Sequence, residues 1–239
     1  MELFIVRHAQ STNNALADQS VRVVDPPLTA IGLRQAELVA AQLANGIDHE
    51  TAEIEGQPFD APPAGMGISR LYSSPMMRAL QTASAIGRAL QLQPHVWVDV
   101  HEEGGMWLDH GAPEGIRGYP GMTRQEIAAR FPHVVLPEDV RDDGWWRASR
   151  EEWDAFLARA ERVTAALRRQ CSSTERIAVV THGGFGAYLL RALCGVSHDA
   201  PIFFHHDNTG ITRVRFRPDG RVSIRYQNRV EHLPPDLVT

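Results

Sequence analysis

Short runs of apolar residues in this chain end abruptly in polar side chains. One run covers residues 3–6 and stops at Arg7 and His8, and a similar run at residues 177–180 leads to His182. Such β-branched runs are typical of strands that are buried on both faces of a parallel sheet. Because open α/β sheets bind ligands at the carboxyl ends of their strands, we expect these polar side chains to meet in one crevice.

Three longer segments carry apolar residues at helical spacing, so each predicts a helix with one buried face. They cover residues 29–45, 75–90 and 153–167. Thr29 is expected to cap the first helix, and Pro75 is expected to lie in the first turn of the second. Arg78 falls in that same turn, where a cation is unfavourable for the helix dipole, and we therefore expect Arg78 to hold an anion.

Further apolar runs predict the remaining strands. These are residues 68–72, 96–98, 210–216 and 222–226. The last two alternate in polarity and are joined by a Pro-Asp-Gly turn, which predicts an antiparallel hairpin. Strands and helices alternate before it, so the sequence predicts an α/β fold: a three-layer sandwich with a mostly parallel central sheet flanked by helices and a C-terminal antiparallel hairpin.

Two stretches rich in glycine and proline interrupt this pattern, at about residues 46–68 and 104–144. We interpret both as loop insertions in a single domain that covers residues 1–239. Within the second stretch, Thr123 and Glu126 form a capping box that predicts a short helix. For the first stretch, a tolerated surface loop and a loop that borders the ligand site both stay open.

Composition excludes several classes of protein. The 239 residues are 43% hydrophobic, with a net charge of −5, which argues against a nucleic-acid partner. No apolar stretch approaches the ~20 residues of a membrane helix, so no membrane partner is expected. Cys171 and Cys194 are typical of reduced thiols, and the first residues lack a secretory pattern. We expect a cytoplasmic protein whose oligomeric state is left open.

Gly183 and Gly184 follow His182 and open another predicted helix. Glycines permit close approach of a ligand to the backbone, and the free N–H groups of a helix N-terminus attract anions. Two histidines, an arginine and a helix N-terminus are together suited to bind a phosphate, which one histidine could attack. The carboxylates of Glu102 and Glu103 follow another strand end and are expected beside this site.

Five motifs follow one another from residue 3 to residue 212. They are Arg7-His8-Ala9-Gln10-Ser11 with Asn14, residues 27–36, residues 73–83, Val180-Thr181-His182-Gly183-Gly184, and Asn208-Thr209-Gly210-Ile211-Thr212. In this order they resemble the histidine phosphatase superfamily, also called phosphoglycerate mutase-like. The chain departs from that family at Ala9 and Gln10, where glycine and glutamate are usual, and the pocket should therefore be more cationic.

The resemblance implies phosphoryl transfer through a phosphohistidine. His8 is the expected nucleophile and must be neutral to attack, which the neighbouring cations favour. Arg7 and Arg78 are expected to bind the phosphoryl oxygens as planar forks of donors. His182 is expected to donate a hydrogen bond to the phosphoryl group as its charge redistributes.

Glu102 is the expected general acid and base, so the catalytic set is His8, Glu102, His182, Arg7 and Arg78. Glu103 is the open alternative, because the residues after the acid match the family only in part. Asn14 and Gly183 complete the expected substrate-binding set with Arg7, Arg78 and His182.

A metal site is the rival interpretation of the histidines. The two candidate clusters are His205-His206-Asp207 and His101-Glu102-Glu103. Neighbours on a strand point to opposite faces, so neither cluster converges, and we expect no metal and no other cofactor. The histidines expected at the surface or at the pocket rim are His110, His198, His205 and His206.

The expected activity is hydrolysis of a small-molecule phosphomonoester. A phosphoglycerate-type mutase is the first alternative; it is disfavoured because Arg117 is the one arginine of residues 104–121 that could grip a glycerate carboxylate. A protein that binds a phosphorylated ligand without catalysis is the second alternative. It is disfavoured because every residue that the mechanism requires is present.

Overall fold

A computed structural model describes residues 1–47, 65–170 and 173–239. The strands are β1 (Glu2–Arg7), β2 (Arg70–Ser73), β3 (His95–Val96), β4 (Trp107–Asp109), β5 (Ile116–Gly118), β6 (Arg176–Thr181), β7 (Ile211–Phe216) and β8 (Val222–Arg229). Six of them form one sheet in the order β3-β2-β6-β1-β7-β8, and β4 pairs with β5 separately.

The central sheet is mostly parallel. β1 pairs in parallel with β6, and β2 pairs in parallel with both β6 and β3. β7 runs antiparallel to β1 and forms the expected C-terminal hairpin with β8. The carboxyl ends of β1, β2 and β6 therefore lie next to one another at one edge of the sheet.

Helices cover both faces of the sheet, which confirms the three-layer architecture. They are α1 (Ala30–Asn45), α2 (Met77–Leu90), α3 (Arg124–Arg130), α4 (Trp153–Arg168) and α5 (Gly183–Cys194). Phe4 and Val6 of β1 pack into the core beneath α1 and α2, whereas Leu3 and Ile5 pack beneath α4 and α5. Because successive residues of this strand enter two different cores, the run is apolar at every position.

Helix starts were predicted correctly where the cap is local in sequence. Thr29 Oγ1 accepts from Gly32 N at the start of α1, and Thr123 forms the expected capping box with Glu126 at the start of α3. The expectation for Pro75 is wrong, because α2 begins only at Met77. The Met77 N–H is bound by the Asp25 carboxylate at 2.9 Å, a cap that no local pattern could predict.

Several strand and loop boundaries also differ from expectation. The strand expected at 96–98 ends at Val96, and the chain turns into a 3₁₀ turn at Val98–Val100. The stretch 104–144, expected as loop around one short helix, contains that helix, α3, and also the β4–β5 hairpin, which was not expected. In the stretch 46–68, Met66 and Ile68 pack into the core, and residues 48–64 lie outside the described residues.

No helix within the described ranges is long and apolar enough to span a bilayer.

Candidate active site

Three adjacent strands deliver the central side chains of the site. His8 follows β1, His182 follows β6, and Arg78 lies in the first turn of α2, which follows β2. The rings of His8 and His182 lie 5.0 Å apart between centroids, and Arg78 Nε lies 3.0 Å from His8 Nε2. The strand order thus brings together side chains that are distant in sequence, as the matching strand ends predicted.

The imidazole of His8 has a defined orientation. His8 Nδ1 lies 2.7 Å from the Ala9 carbonyl oxygen, which can only accept, so Nδ1 carries the proton and Nε2 keeps its lone pair. Burial, with the charges of Arg78 and Arg7, holds the pKa of His8 well below its usual range. The ring is therefore neutral at physiological pH, with Nε2 available to attack an electrophile.

Two side chains that the sequence did not assign hold the backbone of the nucleophile. Asn208 Nδ2 donates to the His8 carbonyl at 2.8 Å, and Thr82 Oγ1 accepts from Ala9 N at 3.0 Å. Both side chains are buried. Each belongs to one of the five motifs. For Thr82, a polar residue on the apolar face of α2 was the signal that could have found it; for Asn208, the signal was only its place in the motif before β7.

Arg7 reaches across the site towards the segment that precedes β7. Its Nη1 donates to the His206 carbonyl oxygen at 2.6 Å, and its Nε is buried without a partner among the described residues. A Cβ atom at Gly183 would lie 3.4 Å from Arg7 Nε, so the first residue of α5 packs directly on the guanidinium. The structure therefore brings Arg7 and Gly183 together beside His8.

Asp25 supports Arg78 and was missed by the sequence analysis. Arg78 Nη1 lies 3.8 Å from Asp25 Oδ1, the oxygen that also caps α2. Burial raises the pKa of Asp25 to about 6, although the charge of Arg78 acts in the opposite direction. Asp25 thus links the loop before α1 to the arginine that contacts His8. The only signal in the sequence was an acid next to a Pro-Pro break.

His182 is fully buried behind His8 and does not line the open cavity. Its Nε2 lies 2.8 Å from Ser74 Oγ, and its Nδ1 is buried without a partner in the described part of the chain. Burial, followed by the charge of Arg78 and by His8, holds the pKa of His182 well below its usual range. The second imidazole is therefore also neutral.

Glu102 binds the N-terminus of α5, a contact that the sequence did not reveal. Its carboxylate accepts from Phe185 N at 2.8 Å and from Gly184 N at 3.3 Å. A Cβ atom at Gly184 would lie 2.7 Å from Glu102 Oε1, so glycine is needed for this approach. The α5 N-terminus was expected to bind a phosphate, but this carboxylate occupies the amides of Gly184 and Phe185; Gly183 N is not among the donors that it uses, and phosphate binding by Gly183 stays a prediction.

A buried arginine holds the loop that carries Glu102. Arg159 Nη1 donates to the carbonyls of Asp99 at 2.7 Å and His101 at 2.9 Å, and Nε and Nη2 bind both oxygens of Glu151. Glu151 N donates in turn to the Gly104 carbonyl at 3.0 Å. The residues on either side of Glu102 and Glu103 are therefore held in place: His101 by Arg159 of α4, and Gly104 by Glu151 just before α4.

A cavity of about 640 Å³ opens above these groups. Its lining residues include Arg7, His8, Arg78, Glu102 and Glu103, the alternative general acid. The alternative, Glu103, is bound by Arg150, which stacks on the ring of Trp107.

Asn14 lines the same cavity. Its Oδ1 accepts from the N–H and the hydroxyl of Ser11. Asn14 therefore has its amide nitrogen to offer a ligand.

The histidines of the rival metal interpretation do not converge. Within the described residues, no three His, Cys, Asp or Glu side chains are grouped so as to hold a metal ion. His206 lines the cavity but is not a surface residue, because its ring is buried against Thr212. His205 is exposed and lies 3.0 Å from Asp207 Oδ1. Independence from metal ions stays a prediction.

The chain belongs to the histidine phosphatase superfamily (branch 1), whose family model matches residues 3–52 and 63–229. Nearly the whole sequence is covered by this match. The resemblance stated from the five motifs is thereby confirmed.

Among curated proteins, the chain is similar to the human mitochondrial serine/threonine-protein phosphatase PGAM5. The two are 22% identical over 242 residues, which is 99% of this chain and 65% of the relative. The Caenorhabditis elegans protein of the same name is 22% identical over 241 residues, which is 99% of this chain and 66% of that protein. The chain thus spans slightly less than two thirds of the length of these relatives.

Solved structures share the fold over nearly their full length. A putative alpha-ribazole-5'-P phosphatase from Escherichia coli has a TM-score of 0.61 at 20% identity, with 96% of this chain and 97% of the other covered. A mutant phosphoserine phosphatase from Entamoeba histolytica, in complex with phosphoserine, has a TM-score of 0.57 at 22% identity, with coverages of 98% and 99%. At this level of sequence identity, both comparisons show only that the fold is shared.

Proposed function

We propose that this protein is a phosphatase that hydrolyses small phosphomonoesters through a covalent phosphohistidine on His8. The observation that carries the proposal is the neutral, oriented His8 ring, whose Nε2 lies 3.0 Å from Arg78 Nε in a cavity that Arg7 also lines. The family membership and the phosphatases among the relatives support it.

In the first step, His8 Nε2 attacks phosphorus and the bond from phosphorus to the ester oxygen breaks. Arg78 contacts Nε2 in the resting site, so its guanidinium moves from that lone pair to the phosphoryl oxygens when the substrate binds. His182 lies behind the His8 ring with its Nδ1 unpartnered among the described residues, so it donates to a phosphoryl oxygen only when the phosphoryl group on His8 reaches below the cavity floor. Glu102 gives its proton to the leaving alkoxide.

In the second step, Glu102 takes a proton from water, and the resulting nucleophile attacks the phosphohistidine. Inorganic phosphate leaves, and both His8 and Glu102 return to their starting protonation states. Splitting the reaction into two transfers is the advantage of covalent catalysis. No metal ion takes part in this scheme, and the cytoplasmic location stays a prediction from the sequence.

The mutase alternative requires cations that hold a carboxylate-bearing intermediate. Arg117 is absent from the described cavity lining, and Arg147 and Arg150, which follow the stretch 104–144, bind Asp143 and Glu103. Beyond the phosphate-binding arginines, Arg22 is the one arginine of the described lining that could hold a glycerate carboxylate, and a single exposed arginine retains such an intermediate poorly, which favours hydrolysis. Incubation with 3-phosphoglycerate and a trace of the bisphosphate should release phosphate, whereas rapid formation of 2-phosphoglycerate would identify a mutase.

The experiment that tests the proposal is a screen of phosphomonoesters with the wild type and with His8→Ala. The wild type should release phosphate and form an acid-labile phosphoenzyme, and His8→Ala should do neither. His205→Ala, which removes an exposed histidine at the same cavity, is the matched control and should still form the phosphoenzyme. Binding of phosphorylated ligands by the wild type without turnover would instead indicate the non-catalytic alternative.

A further inference from the structure

The cavity is larger than a phosphoryl group requires. Its floor is formed by Arg7, His8 and Arg78, and the remainder of its 640 Å³ faces the part of a substrate that departs as an alcohol. The chemistry of that upper part therefore selects the leaving group.

One part of the lining carries Val23, a residue that is 48% exposed. The buried side chain of Asn13 makes two hydrogen bonds with the backbone of Val23. Its Nδ2 donates to the Val23 carbonyl at 2.8 Å, and its Oδ1 accepts from Val23 N at 3.1 Å. An apolar side chain is therefore displayed to solvent from a backbone that is held in place.

A second part of the lining carries Phe203, which is 63% exposed. The loop before it is fixed from beneath by Arg191, a buried side chain that donates to the carbonyls of Ile202, Ser197 and Ala200. On the other side, Arg7 binds the carbonyl of His206. The Phe203 ring is therefore exposed to solvent on a segment whose backbone is held by hydrogen bonds.

Charges around these walls give an anionic leaving group no net attraction. Beyond Arg7 and Arg78, Arg22 is the one arginine among the described lining residues, whereas Glu103 and Asp109 supply carboxylates. The lining also includes apolar groups, among them Val24, Trp107 and Leu108.

We infer that the site takes phosphomonoesters of uncharged, apolar alcohols, with Val23 and Phe203 as the walls that bind the hydrocarbon part. This inference rests on the proposed function and names its substrate class. An exposed valine and an exposed phenylalanine on anchored backbones bury apolar surface only when such a leaving group is present, so binding and reaction gain from each added methylene. A carboxylate-bearing group would find Arg22 as its one further cation in the described lining, together with Asp109 and the Arg150-bound Glu103.

The test is kcat/KM for ethyl, butyl and hexyl phosphate beside O-phosphoserine, 3-phosphoglycerate and a phosphoserine peptide. The primary alcohols differ little in basicity, so the chemical step stays nearly constant along the alkyl series. We expect kcat/KM to rise at least roughly tenfold from ethyl to hexyl phosphate, because each buried methylene favours binding. Hexyl phosphate should also exceed all three charged substrates.

Phe203→Ala should lower the hexyl-to-ethyl ratio of kcat/KM roughly fivefold or more, since it removes one apolar wall. Ile202→Ala is the matched control, because this neighbour is also exposed but does not line the cavity, and it should keep the wild-type ratio. A flat alkyl series overturns the inference, as does faster turnover of the phosphopeptide or of 3-phosphoglycerate. In these cases phosphate is still released and the proposed function survives; no turnover of any phosphomonoester overturns both.

Discussion

The Arg159 guanidinium donates to the carbonyl oxygen of His101, 2.9 Å away, and so fixes the residue that precedes Glu102. Arg159 itself touches no lining residue of the cavity floor, and its remaining donors bind Asp99 and Glu151. Its effect on the reaction passes through the position of the Glu102 carboxylate. Arg159 is therefore a positioning residue for the general acid.

Arg159→Lys should slow alkyl phosphates more than 2,4-dinitrophenyl phosphate, because only the alkoxide needs a proton from a well-placed acid. We expect a selective loss of roughly tenfold in kcat/KM, a coupling typical of residues within one network. In a Glu102→Gln background the same substitution should show no selectivity. Arg162→Lys, an exposed arginine on the same helix, is the control. An equal loss on both substrates in the wild-type background would show that Arg159 has only a structural role.

Glu102→Gln should lower kcat/KM for alkyl phosphates by about 100-fold or more, while an aryl phosphate with a good leaving group loses much less. Glutamine keeps the shape of the side chain but cannot donate the carboxyl proton. Glu103→Gln is the matched control at the adjacent residue, since the Glu103 carboxylate pairs with Arg150. A larger selective loss in Glu103→Gln would transfer the acid role to that residue.

Arg78→Lys should lower kcat/KM about 100-fold or more for every phosphomonoester, independent of the leaving group. Lysine has no planar fork to bind two phosphoryl oxygens, and its ammonium cannot reproduce the contact with His8. Arg88→Lys, in the last turn of the same helix with a surface pairing to Glu37, should keep wild-type kinetics. Retention of activity in Arg78→Lys would show that this guanidinium does not hold the phosphoryl group.

The free energy of unfolding should decrease as the pH falls from about 6.5 towards 4. His8 and His182 have pKa values well below the usual range, and burial lowers the pKa of His206 to about 4. As the pH falls below 6.5, the unfolded chain takes up protons at these histidines before the folded protein does, and protonation therefore favours unfolding. The stability that the neutral histidines contribute is complete above pH 6.5 and is lost on acidification. His206 alone accounts for roughly 3 kcal/mol, since each pKa unit corresponds to ~1.36 kcal/mol.

Urea unfolding at pH 8, 6.5, 5.5 and 4.5 measures this dependence. Asp25 acts in the opposite sense, because its pKa is raised to about 6 and its contribution is lost as the pH rises through that value. Asp25→Asn should therefore steepen the acid-side loss, and His206→Gln should reduce it. Stability that stays constant or rises between pH 6.5 and 4.5 in the wild type would contradict the buried neutral state of the histidines.

Activity should survive exhaustive treatment with a chelator, because the proposed scheme uses arginines and imidazoles where other phosphatases use metal ions. Initial rates before and after dialysis against EDTA decide the point. A loss that a divalent ion restores would revive the metal interpretation, with His205 and Asp207 as the first residues to substitute.

The sequence by itself determined the parts of this protein whose signal is local. The apolar run before His8 predicted a central strand, the alternation of strands and helices predicted the layers, and Thr29 predicted the start of α1. Matching strand ends also predicted that His8, His182 and Arg78 would meet, because parallel strands deliver their carboxyl ends to one edge of a sheet.

Only the tertiary structure decided how these side chains are oriented and supported. Glu102 lies on the N-terminus of α5, Asp25 caps α2 beside Arg78, and Arg159 and Arg191 hold loops from buried positions. Each of these contacts joins groups that no short pattern relates. A buried polar group needs a hydrogen-bond partner, and packing decides which group becomes that partner. Packing depends on the whole fold and not on neighbours in sequence.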